Sequence, residues 1–507
     1  MLNMNETNKL INEKNFSYSS YLKEKYNKED IIVFGFPIKR IFLYRIKLGF
    51  FFLILGFQIF KVIDNFQFEM ENKNMCMTKD PIWMFDERIE LGRNIICQSE
   101  NSTHFCYKNT LHNYQSNKGV ICKMKNFTLD PSKWQSDDDS DFKGPIDYKI
   151  KGFPLVSKGL FNIMCGTESQ IDDYNNMYEF YFNSWNYTSN DTYNLMKEPK
   201  YEELLSPDKT IFFISRNHDS QNLFHGGSGF LNAFALMKAF YINPEDIQIV
   251  FLESINITND PFYELYKELI SRGAEPVHIS RLKKKYFISN AIHIPLNWDS
   301  PTFIFSEIPT CRKQTKTYDL LNQSVKEYMK IKKFQDSIGY SKEIFYYPKT
   351  IINPISKIYK KYVTILWRRV FPNGRTGMQR IMGNGPELAE ALSEKLPKTV
   401  LIRLVDTAQL DIKEQIAIMK KTDFLIAEHG AGLFLSVFLP PSAIVQEICH
   451  KDSINVLQLM SSLSGHVTYS DVITANVEII DSNEVLFFDV KNFVKVILAH
   501  MKNNNFN

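Results

Sequence analysis

The chain has 507 residues, 44% of them apolar and 23% charged, enough for two or three domains with substantial cores. Lys and Arg (60) nearly balance Asp and Glu (57), and a net charge of +3 over this length gives no reason to propose nucleic acid as a partner. Phe (40) and Tyr (25) are abundant while Gly and Pro are modest, which excludes a disordered chain.

In chain order, residues 1–40 read as a cytoplasmic tail and 41–63 as a transmembrane anchor, most apolar over 48–63 (LGFFFLILGFQIFKVI). Lys39, Arg40, Arg45 and Lys47 precede or enter this run, whereas Asp64, Glu69 and Glu71 follow it, so the positive-inside rule directs the rest of the chain to the lumen. The expected partner there is a lipid bilayer, and the expected location a Golgi or endoplasmic reticulum membrane with single-pass type II topology. Asn101, Asn126, Asn186, Asn190, Asn256 and Asn322 each begin an N-x-[ST] sequon beyond the anchor, although Asn5 and Asn15 begin two before it. Cys76, Cys97, Cys106, Cys122, Cys165, Cys311 and Cys449 also lie beyond it, five of them before residue 166, as expected of a disulfide-stapled region in an oxidising compartment. No Cys/His spacing suits zinc.

Residues 64–205 read as an irregular, Cys-containing stem, with a solvated acidic loop at Asp137, Asp138, Asp139 and Asp141. From 206 short β-branched or aromatic runs alternate with amphipathic stretches, the pattern of an α/β fold with parallel sheets. In the half 206–358, strands are expected at 210–216 and 247–253, helices at 229–241 and 261–273, and a mostly helical connection over 310–358. The half 359–507 reads more regularly: strands at 363–369, 399–406, 423–429 and 443–448, and helices at 385–396, 411–422 and 431–439. The expectation is two Rossmann-like domains, with ligands at the carboxyl ends of their strands.

The sharpest local feature is Ala427-Glu428-His429-Gly430-Ala431-Gly432-Leu433, where a strand passes into a helix. Small residues there let a ligand approach the backbone, and a helix start aims N–H groups at anions. Arg368, Arg369, Gly374, Arg375 and Arg380 follow the first strand of the same half, and guanidinium groups suit phosphate. A tight turn and a solvated basic loop are the plain alternatives.

Residues 363 to about 450 resemble glycosyltransferase family 61. The resemblance rests on the strand ending at Arg368 or Arg369, on Arg380 through Asn384 (RIMGN), on Glu414-Gln415, and on HGAGL (429–433) with FLPPSA (438–443) and Glu447-Ile448. It implies a GT-B fold and inverting transfer from a UDP-sugar, N-acetylglucosamine or xylose, to a glycan or glycoprotein acceptor, with no cofactor and no metal. It further implies that Arg368 or Arg369, Arg380, Asn384, His429, Gly430, Ala431 and Gly432 hold the donor, with Glu447 on the ribose hydroxyls. Asn222-Leu-Phe-His225 resembles the family's N-x-[FY]-H, but Gly229 stands where an acidic residue is usual. Inverting transfer needs a base, and His225 and Asp219 are the nearest substitutes. A non-catalytic lumenal protein binding nucleotide sugar or glycan is the alternative, and an enzyme using GDP-fucose a third reading.

Overall fold

The computed structural model describes residues 30–33, 36–39, 93–108, 120–135, 155–156, 158–164, 185–188, 205–206, 208–216, 222–252, 260–272, 274–294, 316–331, 344–347, 359–367, 380–407, 410–449, 464, 466–472, 475–480 and 483–506. The expected anchor at 41–63 and the acidic loop at Asp137 to Asp141 lie outside them, as do Asp219, Arg368 and Arg369. Met1–Met75 and Cys76–Asn507 form two compact units. In the first, β1 (Asp30–Val33) pairs antiparallel with β2 (Phe36–Lys39). No helix among the described residues is long and apolar enough to cross a membrane.

The second unit begins with an antiparallel meander of β3 (Arg93–Gln98), β4 (Thr103–Lys108) and β5 (Val120–Leu129). A short ribbon of β6 (Trp134–Gln135) and β7 (Leu155–Val156) follows, then β8 (Phe161–Met164) beside β5, and β9 (Trp185–Thr188) beside β8. This stretch was expected to be irregular. Its Asn, Lys and Asp content conceals strands whose partners are distant in sequence, and sheet pairing overrides so weak a local preference. Cys106 and Cys122 lie opposite one another on β4 and β5 and form a disulfide; Cys97 is disulfide-bonded as well. His104 packs 4.3 Å from the Trp185 ring, and burial pulls its pKa down to about 3.

β10 (Thr210–Ile214), β11 (Ile247–Phe251) and β12 (Val277–His278) are parallel, with β13 (Tyr286–Ile294) parallel to β10 on its other side and antiparallel to β5. The sheet therefore runs β12-β11-β10-β13-β5-β4-β3, with a parallel core and an antiparallel arm. β11 is buried at every residue, as a strand covered on both faces must be. Helix α1 (Leu223–Ala239) starts six residues before its expected place, because Asn222 caps it and Gly226, Gly227 and Gly229 are absorbed into the helix.

The segment expected to be mostly helical gives α2 (Lys316–Ile331) and then a strand, β14 (Ile344–Tyr347), at the antiparallel edge of a second sheet. That sheet runs β14-β17-β15-β18-β19-β20, comprising β15 (Lys361–Leu366), β17 (Val400–Val405), β18 (Phe424–Glu428), β19 (Ile444–Cys449) and β20 (Val467–Val472), all parallel except β14. α3 (Gly385–Lys395) and α4 (Ile412–Lys420) connect its strands, the latter opened by a capping box of Asp411 and Glu414. β16 (Arg380–Met382), β21 (Ala475–Ile480) and β22 (Asn483–Phe488) make a smaller sheet, and α5 (Val490–Asn503) follows.

The interior is continuous across both sheets: Phe212, Phe230 and Phe234 belong to the same core as Phe434, Phe438 and Val445. Inside the second sheet a buried guanidinium ties layers together. Arg403 donates to Thr364 Oγ1 and Thr422 Oγ1 at 2.9 Å and to the Lys421 carbonyl at 3.1 Å, beneath the Tyr362 ring at 4.8 Å. These acceptors offset the cost of burying its charge.

Candidate active site

In the half expected to bind the donor, strand order sets the position of the candidate site. β17 lies on one side of β15 and β18 on the other, so the connections leaving β15 and β17 run in opposite directions. The carboxyl ends of β15 and β18 are thus a topological switch point, where a crevice is left open for ligands. The two strands are in register there, Leu366 opposite Ala427.

From the β15 end, Trp367 donates through its indole N–H to the Met382 carbonyl at 3.1 Å. Its ring closes over the start of α3 so tightly that a Cβ on Gly385 would lie 2.8 Å from it. The backbone of Arg380 opens β16 beside Glu484 of β22. Asn384 stands at the N-cap of α3, but its side-chain amide donates to the Phe488 carbonyl at 2.7 Å.

From the β18 end, the His429 amide donates to the Ile448 carbonyl at 2.8 Å, which extends the ladder by one residue. Gly430 follows, and Ala431–Phe438 winds as a 3₁₀ helix, not the expected α-helix. Its residues Leu433 through Phe438 are all buried, so the narrower helix fits between neighbours on every side. Leu433 N–H to Gly430 C=O is the first bond of the segment, and the amides of Ala431 and Gly432 precede it. From behind, His466 bonds the Ser436 carbonyl through Nε2 at 2.9 Å, and burial pulls its pKa down to about 4.

The decisive contact joins two motifs. Glu447, on β19 opposite Ala427, places Oε1 2.6 Å from His429 Nδ1. Its side chain is only 1% exposed against 15% for His429, so the carboxylate is enclosed while part of the imidazole stays reachable. A carboxylate so enclosed needs a hydrogen-bonded partner, and the ring receives a fixed orientation in return. Glu447, expected on ribose hydroxyls, is hydrogen-bonded to His429 in this structure.

The first sheet supplies the facing elements. β11 and β13 flank β10, so its carboxyl end is likewise a switch point. Arg216, just past that end, binds Asp260 at 2.9 Å with both side chains buried, and its guanidinium lies 3.6 Å over the Phe251 ring. Asp260 also accepts from the Phe262 amide at 2.7 Å. At the start of α1, Asn222 accepts from the Phe224 amide at 3.0 Å and places His225, half-buried, in the first turn. Gly229, one turn later, is buried, so that position presents no carboxylate beside His225.

α1 and the 3₁₀ segment are locked together: a Cβ on Gly227 would lie 2.2 Å from Phe434, whose ring also meets Phe262 edge-on at 5.4 Å. The helix carrying His225 thus rests on the segment that His429 introduces. Sequence reasoning missed the Arg216–Asp260 pair and the pairing of His429 with Glu447, because each joins residues from different strands or loops. A charged residue at a strand's carboxyl end was the available signal.

The model of the family described as Glycosyltransferase 61 matches residues 176–446, more than half of the chain. The chain belongs to glycosyltransferase family 61. Its activity is accordingly that of a glycosyltransferase, taking a sugar donor and a glycan acceptor. A comparison with curated proteins finds none that matches. The matched span takes in α1, both switch points and the His429 turn, and stops one residue before Glu447. Among the described residues the one group with metal-ligand geometry is His104 with Cys106 and Cys122, and the disulfide occupies both sulfurs.

Proposed function

We propose that this glycosyltransferase moves a sugar, N-acetylglucosamine or xylose, from a UDP donor to a glycan or glycoprotein acceptor, with inversion and without a metal. It works across a GT-B-type crevice in the lumen of the Golgi or endoplasmic reticulum, held there by the anchor at 41–63. The observation that carries the reading is the His429–Glu447 pair at the switch point.

The acceptor hydroxyl attacks the anomeric carbon as the bond from that carbon to the diphosphate oxygen breaks. The hydroxyl proton passes to His225 or Asp219, and UDP leaves with the bonding electrons. Charge building on the diphosphate meets the amides of Ala431 and Gly432 and guanidinium groups from Arg380 and Arg368 or Arg369. With Glu447 on Nδ1, His429 directs Nε2 towards the phosphates and, when doubly protonated, adds an N–H there. Such donors act because they are already in place when the charge develops.

Purified protein incubated with radiolabelled UDP-sugars tests the proposal. Transfer, or slow donor hydrolysis lost in the Arg380→Ala variant, is the expected result; one such donor is worth roughly a hundredfold in rate. Unchanged turnover in Arg380→Ala would refute the clamp. Gly229 favours a second reading, a protein that binds nucleotide sugar without transferring it. Saturable binding with neither transfer nor hydrolysis would decide for that one.

A further inference from the structure

We propose that Asn101 carries an N-linked glycan, and that Asn126, Asn186 and Asn322 do not. The inference rests on the lumenal placement above, which the Cys106–Cys122 disulfide of the same meander supports. All four begin sequons, and the fold separates them.

Asn101 sits in the turn between β3 and β4, exposed, its side chain making no hydrogen bond among the described residues. Ser102, the next residue, is buried and donates to the Asn126 carbonyl at 2.9 Å, so the turn holds its shape while the asparagine points to solvent. Thr103 supplies the hydroxyl that the acceptor sequence needs.

The other three side chains are held by the fold. Asn126 donates through Nδ2 to the Asn101 carbonyl, from a backbone with φ of 53°. Asn186, half-buried on β9, donates to Asn162 Oδ1 at 3.1 Å. Asn322 lies within α2, its Oδ1 bonded to Lys420 and its Nδ2 buried. A sugar on these nitrogens would break the bond of Asn126 to the Asn101 carbonyl, break that of Asn186 to Asn162, or force the buried Asn322 nitrogen into the open.

The step is transfer of an oligosaccharide from a polyprenyl diphosphate, catalysed by the compartment's own transferase. The Asn101 amide nitrogen bonds to the anomeric carbon and loses a proton, while the carbon–oxygen bond to the diphosphate breaks and polyprenyl diphosphate leaves. Among the described residues β3 is the last strand of its sheet, and a glycan at its turn would hinder pairing with a second chain there.

The full chain expressed in animal cells provides the test, read by disulfide mapping together with peptide:N-glycosidase digestion in heavy-oxygen water. The expected result is label at Asn101 in nearly all molecules and none at Asn126, Asn186 or Asn322. Asn101→Gln and Thr103→Val should each remove one discrete step of gel mobility. Unlabelled Asn101 in protein whose Cys106–Cys122 bridge has formed overturns the assignment, as does heavy labelling of Asn322. Absence of both bridge and label overturns the lumenal placement, and the glycan with it.

Discussion

Acid should destabilise this protein through three histidines. His104, His293 and His466 are at most 2% exposed, and burial pulls their pKa values from 6.5 to about 3, about 3 and about 4. In the unfolded chain each recovers its ordinary value. Between those limits the unfolded state holds more protons, so stability is full above pH 6.5 and falls as pH drops below it. Each histidine costs about 1.4 kcal/mol per pH unit in that window. At about pH 5 each has withdrawn about 2 kcal/mol, and the three together about 6 kcal/mol, comparable to the whole stability of many domains. Urea unfolding followed by tryptophan fluorescence at about pH 7.5, 6.5, 5.5 and 5 measures the slope. His466→Gln should lower that slope by one proton, about a third of the three-histidine share. A midpoint that does not move between pH 6.5 and 5, or a slope unchanged by His466→Gln, would refute the reasoning.

His429→Ala should remove the hydrogen bond to the buried Glu447 carboxylate and cost about 2 kcal/mol of stability, whereas the double variant with Glu447→Gln should recover part of it; a double-mutant cycle on unfolding reads the coupling. In the same variants donor KM should rise, and parallel kinetics check it. Gly227→Ala should cost about 1–3 kcal/mol because its methyl group would meet the Phe434 ring, while Gly432→Ala, whose Cβ would sit 3.7 Å from Leu366, should keep the melting temperature and weaken donor binding. Thermal unfolding and donor titration separate those two effects. Tyr241 follows α1 with φ of 54°, donating to the Lys238 carbonyl as Ile242 does to that of Met237. Glycine is at ease in that place, so Tyr241→Gly should raise stability by about 0.5–1 kcal/mol in a melting experiment.

Four strands of the second sheet, β15, β17, β18 and β19, were legible because each is a short apolar run followed by turn chemistry, whereas β14 was expected to be helical and β20 was not foreseen. Local signal and tertiary role agree in those four. They diverge in α1, where three glycines argue against a helix that burial against Phe434 nonetheless requires, and in β3 to β5, whose polar residues mask strands paired over long distances. Of the candidate site, His429 and the turn after it were visible as a motif. The contact of Glu447 with His429 was not, since it is fixed by the register of β18 against β19 and by no spacing along the chain.

The unbroken interior beneath Gly227 and Phe434 also governs how the molecule comes apart. A chain cut between the two sheets would bare the Phe434 face on one fragment and its α1 counterpart on the other, and neither fragment could satisfy that surface alone. The two halves should therefore melt in a single cooperative transition.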